Sequence, residues 1–311
     1  MTTSLIYHPA YLCHDTGPHH PERPSRLKAI FRKLNKTGLM DKLMVVEPDV
    51  AMESDIAMVH SPGYINSVKD TCIAGGGKLD ADTVASKDSY IAALFAAGGV
   101  MKAIDLVCGG NADNAFCAVR PPGHHAGHCR AMGFCLFNNV AIGARYVQKK
   151  YNIKRVLIID WDAHHGNGTE EIFYEDPSVF YVSLHQYPHY PGTGSSEYRG
   201  KEKGKGYNLN IPMSAGSGDS EYMKVFRDMV IPMAKDFKPE FILISAGFDG
   251  HENDPLSSTN LTEKGYGKMT ELVKDIAVAY AKGRVVSVLE GGYNLLSLAD
   301  SVNTHIEKLS T

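Results

Sequence analysis

Five short apolar runs punctuate the chain from residue 116 onward: FCAV (116–119), VLII (156–159), VFYVSL (179–184), FILIS (241–245) and RVVSVL (284–289). None alternates strictly between apolar and polar positions. Each therefore predicts a strand buried on both faces. Longer stretches with helical spacing lie among them, at Asn138–Tyr151, Ser220–Phe237, Thr262–Tyr280 and Leu295–Leu309. Thr262, with Glu263 in the turn that follows and Gly265 nearby, marks a helix start. Strands alternating with helices predict an α/β fold with an open, mostly parallel sheet and helices on both faces. No internal repeat, low-complexity tract or linker interrupts the pattern, so residues 1–311 are expected to form a single domain.

Gly, Pro, Asp and His cluster where the apolar runs end. In open α/β sheets ligands bind at the carboxyl ends of the strands, so these loops form one candidate site. VLII runs into DWDAHHGNGT (160–169), which offers Asp160, Asp162 and His164 at every second position. In an extended segment such residues point the same way, and carboxylate with imidazole suits zinc or iron. The bland alternative makes the carboxylates caps for a helix starting near Gly168. After FILIS, Asp249 stands in a Gly-flanked turn; it is either a turn carboxylate or the third ligand beside Asp162 and His164.

In AVRPPGHHAGH (118–128) two prolines and a glycine restrain the loop that carries His124 and His125. Adjacent imidazoles do not readily both become cations. The pair suits one neutral base and one partner in the other protonation state. In VLEGGYN (288–294), Tyr293 follows two glycines and can present its hydroxyl to an oxyanion, or serve as an ordinary turn tyrosine.

Composition narrows the classes. A net charge of −3 gives no field favouring nucleic acid or anionic membrane. The N-terminal MTTSLIYHPAYL lacks a signal-peptide pattern, and residues 91–107 are apolar but interrupted by Gly98, Gly99, Lys102 and Asp105, which argues against a spanning helix. The six cysteines contain no CxxC pair and read as reduced thiols, so a cytoplasmic location is expected.

Together these segments resemble the zinc-dependent histone deacetylase family, of the arginase/deacetylase fold. The matching stretches are HPERPSRL (20–27), RPPGHHA (120–126), GFCLFNN (133–139), DWDAHHGNGT (160–169), SLH (183–185), PGTG (191–194), SAGFD (245–249) and LEGGYN (289–294). The resemblance implies one zinc ion held by Asp162, His164 and Asp249. It places His124 beside Asp160, and His125 beside Asn167 as principal base and then acid. Tyr293 would polarise the substrate carbonyl. A structural potassium ion would take main-chain oxygens of Asp160, Asp162, His164 and Leu184 with the side chains of Asp160 and Ser183. Phe173, Asp176, Val179 and Tyr207 match a second potassium site. Gly133, Phe134 and Tyr190 would line an acyl-lysine tunnel, and Arg23 would lie deeper, near an internal cavity. Asn167, where class I members have Asp, and LEGGYN in place of a GGGY form resemble class II and its bacterial and archaeal relatives. Tyr at 293, not His, implies an intact deacetylase.

The implied substrate is acetylated lysine in proteins, with small acetylated amines such as polyamines as the alternative. Leu256 stands where polyamine deacetylases of the family carry a gatekeeping Glu, and offers no carboxylate to a distal ammonium. Two further readings are a non-catalytic acyl-lysine binding module and a binuclear manganese hydrolase. The second would need Asp160 and His124 as additional ligands. Oligomeric state is not legible.

Overall fold

The computed structural model describes residues 1–311. Its strands are β1 (Thr3–Ile6), β2 (Met44–Val46), β3 (Gly76–Lys78), β4 (Val84–Ser86), β5 (Asn114–Cys117), β6 (Val156–Asp160), β7 (Val179–Gln186), β8 (Asn208–Met213), β9 (Phe241–Ala246) and β10 (Val285–Leu289). Eight of them build one sheet in the order β2-β1-β5-β10-β9-β6-β7-β8. Every pairing in it is parallel. β3 and β4 form a separate antiparallel hairpin. All five expected strands are present, though FCAV sits two residues late: β5 ends at Cys117, and Ala118 and Val119 already belong to the loop.

Register explains why five separate loops make one site. Cys117 pairs with Val288, Val288 with Ser245, Ser245 with Asp160, and Asp160 with Ser183. These residues form one row near the carboxyl edge. The chain leaves β5 and returns as β6 three strands away, with β10 and β9 between them, so the crevice opens where strand order reverses.

The apolar stretch at 91–107 departs from expectation. Ser89–Cys108 is one unbroken helix, long and apolar enough by composition to cross a membrane, with 61% of its most apolar window buried. The glycines do not break it. A Cβ on Gly98 would come 2.1 Å from the carbonyl oxygen of Asp49, so the residue permits close packing. The helix packs against the Asn139–Tyr151 helix and β5, inside one cluster of 74 buried apolar residues to which every strand of the sheet except β2 contributes.

The expected 220–237 helix is instead α over Asp219–Val225, π over Phe226–Val230 and α over Ile231–Phe237. Pro232 lacks the N–H that an α-helix needs, and the ladder widens just before it. Thr262 does cap Glu263–Tyr280, its side chain accepting from the Gly265 N–H.

Candidate active site

Asp162, His164 and Asp249 converge. One ligand atom from each lies within 4.8 Å of the others, and all three residues are buried. His164 Nδ1 is 3.0 Å from both Asp162 Oδ1 and Asp249 Oδ2. Backbone donors hold the other carboxylate oxygens: Gly291 N donates to Asp162 Oδ2 at 2.8 Å and Ala163 N to Asp249 Oδ1 at 2.8 Å. A Cβ on Gly291 would lie 2.1 Å from Asp249 Oδ2 and 2.6 Å from Asp162 Oδ2, so only glycine fits between them. Tetrahedral zinc at ~2.0 Å places its ligand atoms roughly 3.3 Å apart. The observed spacing and the donor set, two carboxylates and an imidazole, fit that ion.

Two carboxylates in one dry site separate in acidity. Burial and the negative charge of Asp162 push Asp249 up to about 7. For Asp162, burial pushes up, but the facing His124 and His164 prevail and lower it.

Asp160 does not join this trio, contrary to the expectation from extended geometry. β6 ends at Asp160 and the chain bends, with Asp162 N donating to Asp160 Oδ1 at 3.1 Å. Its Oδ2 instead accepts from Tyr181 Oη at 2.8 Å and lies 3.0 Å from His124 Nδ1. Nor does either carboxylate cap the Asn167–Phe173 helix, whose N-cap is Gly166.

The adjacent imidazoles, ring centroids 4.0 Å apart, have opposite tendencies. Burial pushes His124 down, but the charges of Asp160 and Asp162 outweigh it and raise it to about 10. His125 falls well below its ordinary value through burial and the neighbouring His124 and His164. Its Nδ1 is 2.7 Å from Asn167 Oδ1.

Tyr293 lines the same pocket as His125, His164, Gly133, Phe134, Tyr190 and Leu256, a cavity of about 250 Å³. Phe134 packs edge-on to Tyr293 at 5.8 Å, and Tyr190 edge-on to His125 at 5.4 Å. Gly133 has φ +56°, and a Cβ there would meet the His125 ring at 2.2 Å. The pocket wall at Gly133 thus abuts the His125 ring directly. Burial raises the Tyr293 phenol well above its ordinary value, so it keeps its proton at neutral pH.

The arginine assignment needs correction. Arg23 is only half-buried, whereas Arg26 is fully buried. Arg26 lies 5.0 Å over the Tyr293 ring and donates to the carbonyls of Glu290 and Gly292, each at 2.6 Å. Arg23 precedes the Ser25–Thr37 helix, whereas Arg26 lies in its first turn, on the buried face with Leu27, Ile30 and Leu34.

Four residues of the site escaped sequence reasoning. Asp82, from the β3–β4 turn, lines the pocket and accepts from Gly133 N at 3.2 Å. His189 stacks on His164 at 5.1 Å, with its Nε2 2.9 Å from the Leu256 carbonyl. Glu290 and Arg26 stood inside segments already singled out, LEGGYN and HPERPSRL. Asp82 and His189 carried no spacing signal.

Of the residues expected at potassium, Asp160 and Ser183 are register neighbours on adjacent strands and fully buried. At the second position the Asp176 carboxylate is paired with Arg145 at 2.5 Å, and the Tyr207 carbonyl accepts from Tyr181 N at 3.1 Å.

Comparison with known proteins agrees with this geometry. The family model described as the histone deacetylase domain matches residues 20–309. A "Probable deacetylase" of Archaeoglobus fulgidus is 42% identical over 297 residues, 95% of this chain and 82% of that protein. Polyamine deacetylase HDAC10 of Homo sapiens is 36% identical, over 99% of this chain and 48% of its own. The crystal structure of the HDA15 HD domain superposes with a TM-score of 0.94 at 39% identity, covering 99% of this chain and 88% of that one. The chain belongs to the histone deacetylase family, a deacetylase-type hydrolase of the arginase/deacetylase fold.

Proposed function

We propose that this protein is a zinc-dependent amide hydrolase that removes acetyl or other short acyl groups from lysine side chains. One observation carries this: the ligand trio, the imidazole pair and Tyr293 meet at a narrow pocket walled by Phe134 and Tyr190. Zinc held by Asp162, His164 and Asp249 would supply Lewis acidity for the amide carbonyl and a lowered pKa for water.

The chain's own residues do the rest. Phe134 and Tyr190 pack the aliphatic part of an acyl-lysine and exclude water. An amide oxygen only accepts, so Asn167 keeps the His125 proton on Nδ1 and leaves Nε2 free as the base. His125 takes a proton from the attacking water and returns it to the leaving amine. His124, charged through Asp160, holds positive potential beside the reacting carbonyl. The Tyr293 hydroxyl donates to the oxyanion as it forms. This use of His125 and Tyr293 favours turnover over passive binding. His124 Nδ1 is taken by Asp160 and its Nε2 lies 3.8 Å from Asp162 Oδ1, so the pair is engaged with each other and with a ligand, which speaks against a binuclear manganese centre.

Potassium is proposed at Asp160, Ser183 and the neighbouring main chain, as a structural ion. The six unpaired cysteines suit a reducing, cytoplasmic setting.

A second reading, acetylpolyamine hydrolysis, is favoured by Asp82. Leu256 offers no carboxylate to a distal ammonium, but Asp82 brings one to the same pocket. Initial rates of the zinc-loaded protein on an acetyl-lysine peptide, N-acetylputrescine and N-acetylspermidine decide between them. Faster peptide cleavage, abolished by a chelator and restored by zinc, is expected. Faster polyamine cleavage would move the assignment to the second reading, and chelator-insensitive hydrolysis would reject both. Two bound equivalents of manganese in the active protein would instead indicate the binuclear enzyme.

A further inference from the structure

Glu290 is fully buried directly after β10 ends, and none of the steps above uses it. Its Oε2 accepts from Gly123 N at 2.7 Å and from His124 N at 3.2 Å; its Oε1 accepts from Ser245 Oγ at 3.3 Å. The side chain from β10 thus ties the loop after β5 to the end of β9. The matching carbonyls are engaged elsewhere, Gly123 O by Ala126 N and His124 O by Thr169 N. Glu290 Oε2 is therefore the acceptor for two consecutive buried N–H groups at the start of the histidine pair.

The same residue is fixed through its backbone. Its N–H donates to Ala246 O at 3.1 Å, and its carbonyl accepts from Arg26. The next N–H, of Gly291, holds the ligand Asp162. Three residues on stands Tyr293. One short segment so carries Tyr293, holds the Asp162 carboxylate, and holds the backbone where the histidine pair begins.

We propose that Glu290 is a positioning residue for the hydrolytic reaction: its carboxyl oxygens set the place of the His124–His125 backbone relative to Asp162 and Tyr293. The inference rests on the proposed hydrolase function. Position, and not charge, is the operative property. Every side-chain contact of Glu290 is with a donor, and an amide oxygen at the same reach can accept the same N–H groups. Leaving those groups unpaired in a dry site would shift the loop, and a displacement of about 1 Å near the reacting atoms costs on the order of 100-fold in rate.

Two variants separate reach from charge. Glu290→Asp keeps the charge but shortens the side chain by about 1.5 Å; Glu290→Gln keeps the reach and removes the charge. Turnover on an acetyl-lysine peptide, zinc content, melting temperature and the downfield imidazole N–H proton signals are measured for both. Glu290→Asp is expected to lower kcat on the order of 100-fold at unchanged KM and zinc content, and to move the His124 N–H signal. Glu290→Gln should keep kcat within about threefold and leave that signal in place. A Gln variant as slow as the Asp variant overturns the inference, because charge then matters. An Asp variant with wild-type kcat and unmoved signals overturns it as well. If Glu290→Asp does not fold, loss of turnover in the Gln variant still refutes it. Absence of hydrolysis by the wild type would reject the proposed function, while the proton signals would still decide whether Glu290 positions the pair.

Discussion

His125 Nδ1 lies 2.7 Å from Asn167 Oδ1, so this imidazole is held by a neutral acceptor, whereas its neighbour His124 is held by the carboxylate of Asp160. This difference in partner separates the two imidazoles. Burial and the neighbouring His124 and His164 lower the His125 pKa, which favours the neutral ring that needs to shed no proton before it accepts one.

Replacing Asn167 with Asp puts an anion against His125 Nδ1. The anion stabilises the imidazolium and raises the pKa. The acidic limb of kcat/KM against pH should then move to higher pH, with turnover lost first on the acid side. A pH profile of Asn167→Asp that superposes on the wild type would show that His125 is not the titrating base.

Tyr293→Phe removes one hydroxyl donor without touching the metal ligands. Turnover should fall about 100- to 1000-fold, while zinc content and melting temperature stay at wild-type values. Near-normal kcat in this variant would take the phenol out of the chemistry.

Asp82 is a support as well as a candidate recognition group, since it accepts from Gly133 N and its neighbour Thr83 accepts from Phe134 N. Asp82→Asn keeps an acceptor and removes the charge. If the carboxylate reads an ammonium, kcat/KM for N-acetylspermidine should drop roughly fivefold more than for an uncharged acetyl-lysine peptide, as expected of about 1 kcal/mol at a partly exposed ion pair. Equal losses on both substrates would leave Asp82 with its supporting role alone.

Acid stability follows from buried neutral histidines. Burial lowers His14 and His60 to about 4, and His185 and His305 to about 3, from 6.5. His60 shows why: its Nδ1 faces the Gly127 carbonyl at 2.8 Å and its Nε2 accepts from Asn138 N at 2.8 Å, so a second proton breaks a bond. Below pH 6.5 the unfolded chain binds more protons, and stability is lost as pH falls toward the folded values. The slope is about 1.4 kcal/mol per pH unit for each group. His124, raised to about 10, opposes none of this, because its contribution is already complete below pH 6.5. The urea midpoint should fall steeply from about pH 6.5 to 4; a flat midpoint over that window would contradict the assignment of these four as neutral.

The sequence by itself determined the sheet's central strands and the candidate chemistry at their ends. VLII, VFYVSL, FILIS and RVVSVL are too uniformly apolar for anything but a two-sided interior, and each is followed within four residues by a carboxylate or imidazole: Asp160, His185, Asp249 and Glu290. The short outer strands β1, β2 and β8 and the helices before residue 138 were not legible, because their patterns are brief or mixed. The unbroken helix through Gly98 and Gly99 was hidden as well: whether a glycine breaks a helix or lets another backbone approach depends on what packs there.

Only the tertiary structure decided how the ends combine. Parallel register puts Cys117, Val288, Ser245, Asp160 and Ser183 in one row, and no local pattern encodes a register between strands separated by up to 171 positions (117 to 288). It chose Arg26 over Arg23, tied Glu290 to the start of the histidine pair, and brought Asp82 and His189 to the site from segments with no spacing signal. The physical reason is one of range. Hydrophobic periodicity reports which face of a residue's own element is dry, whereas a carboxylate's role is set by the donors that distant strands deliver to it.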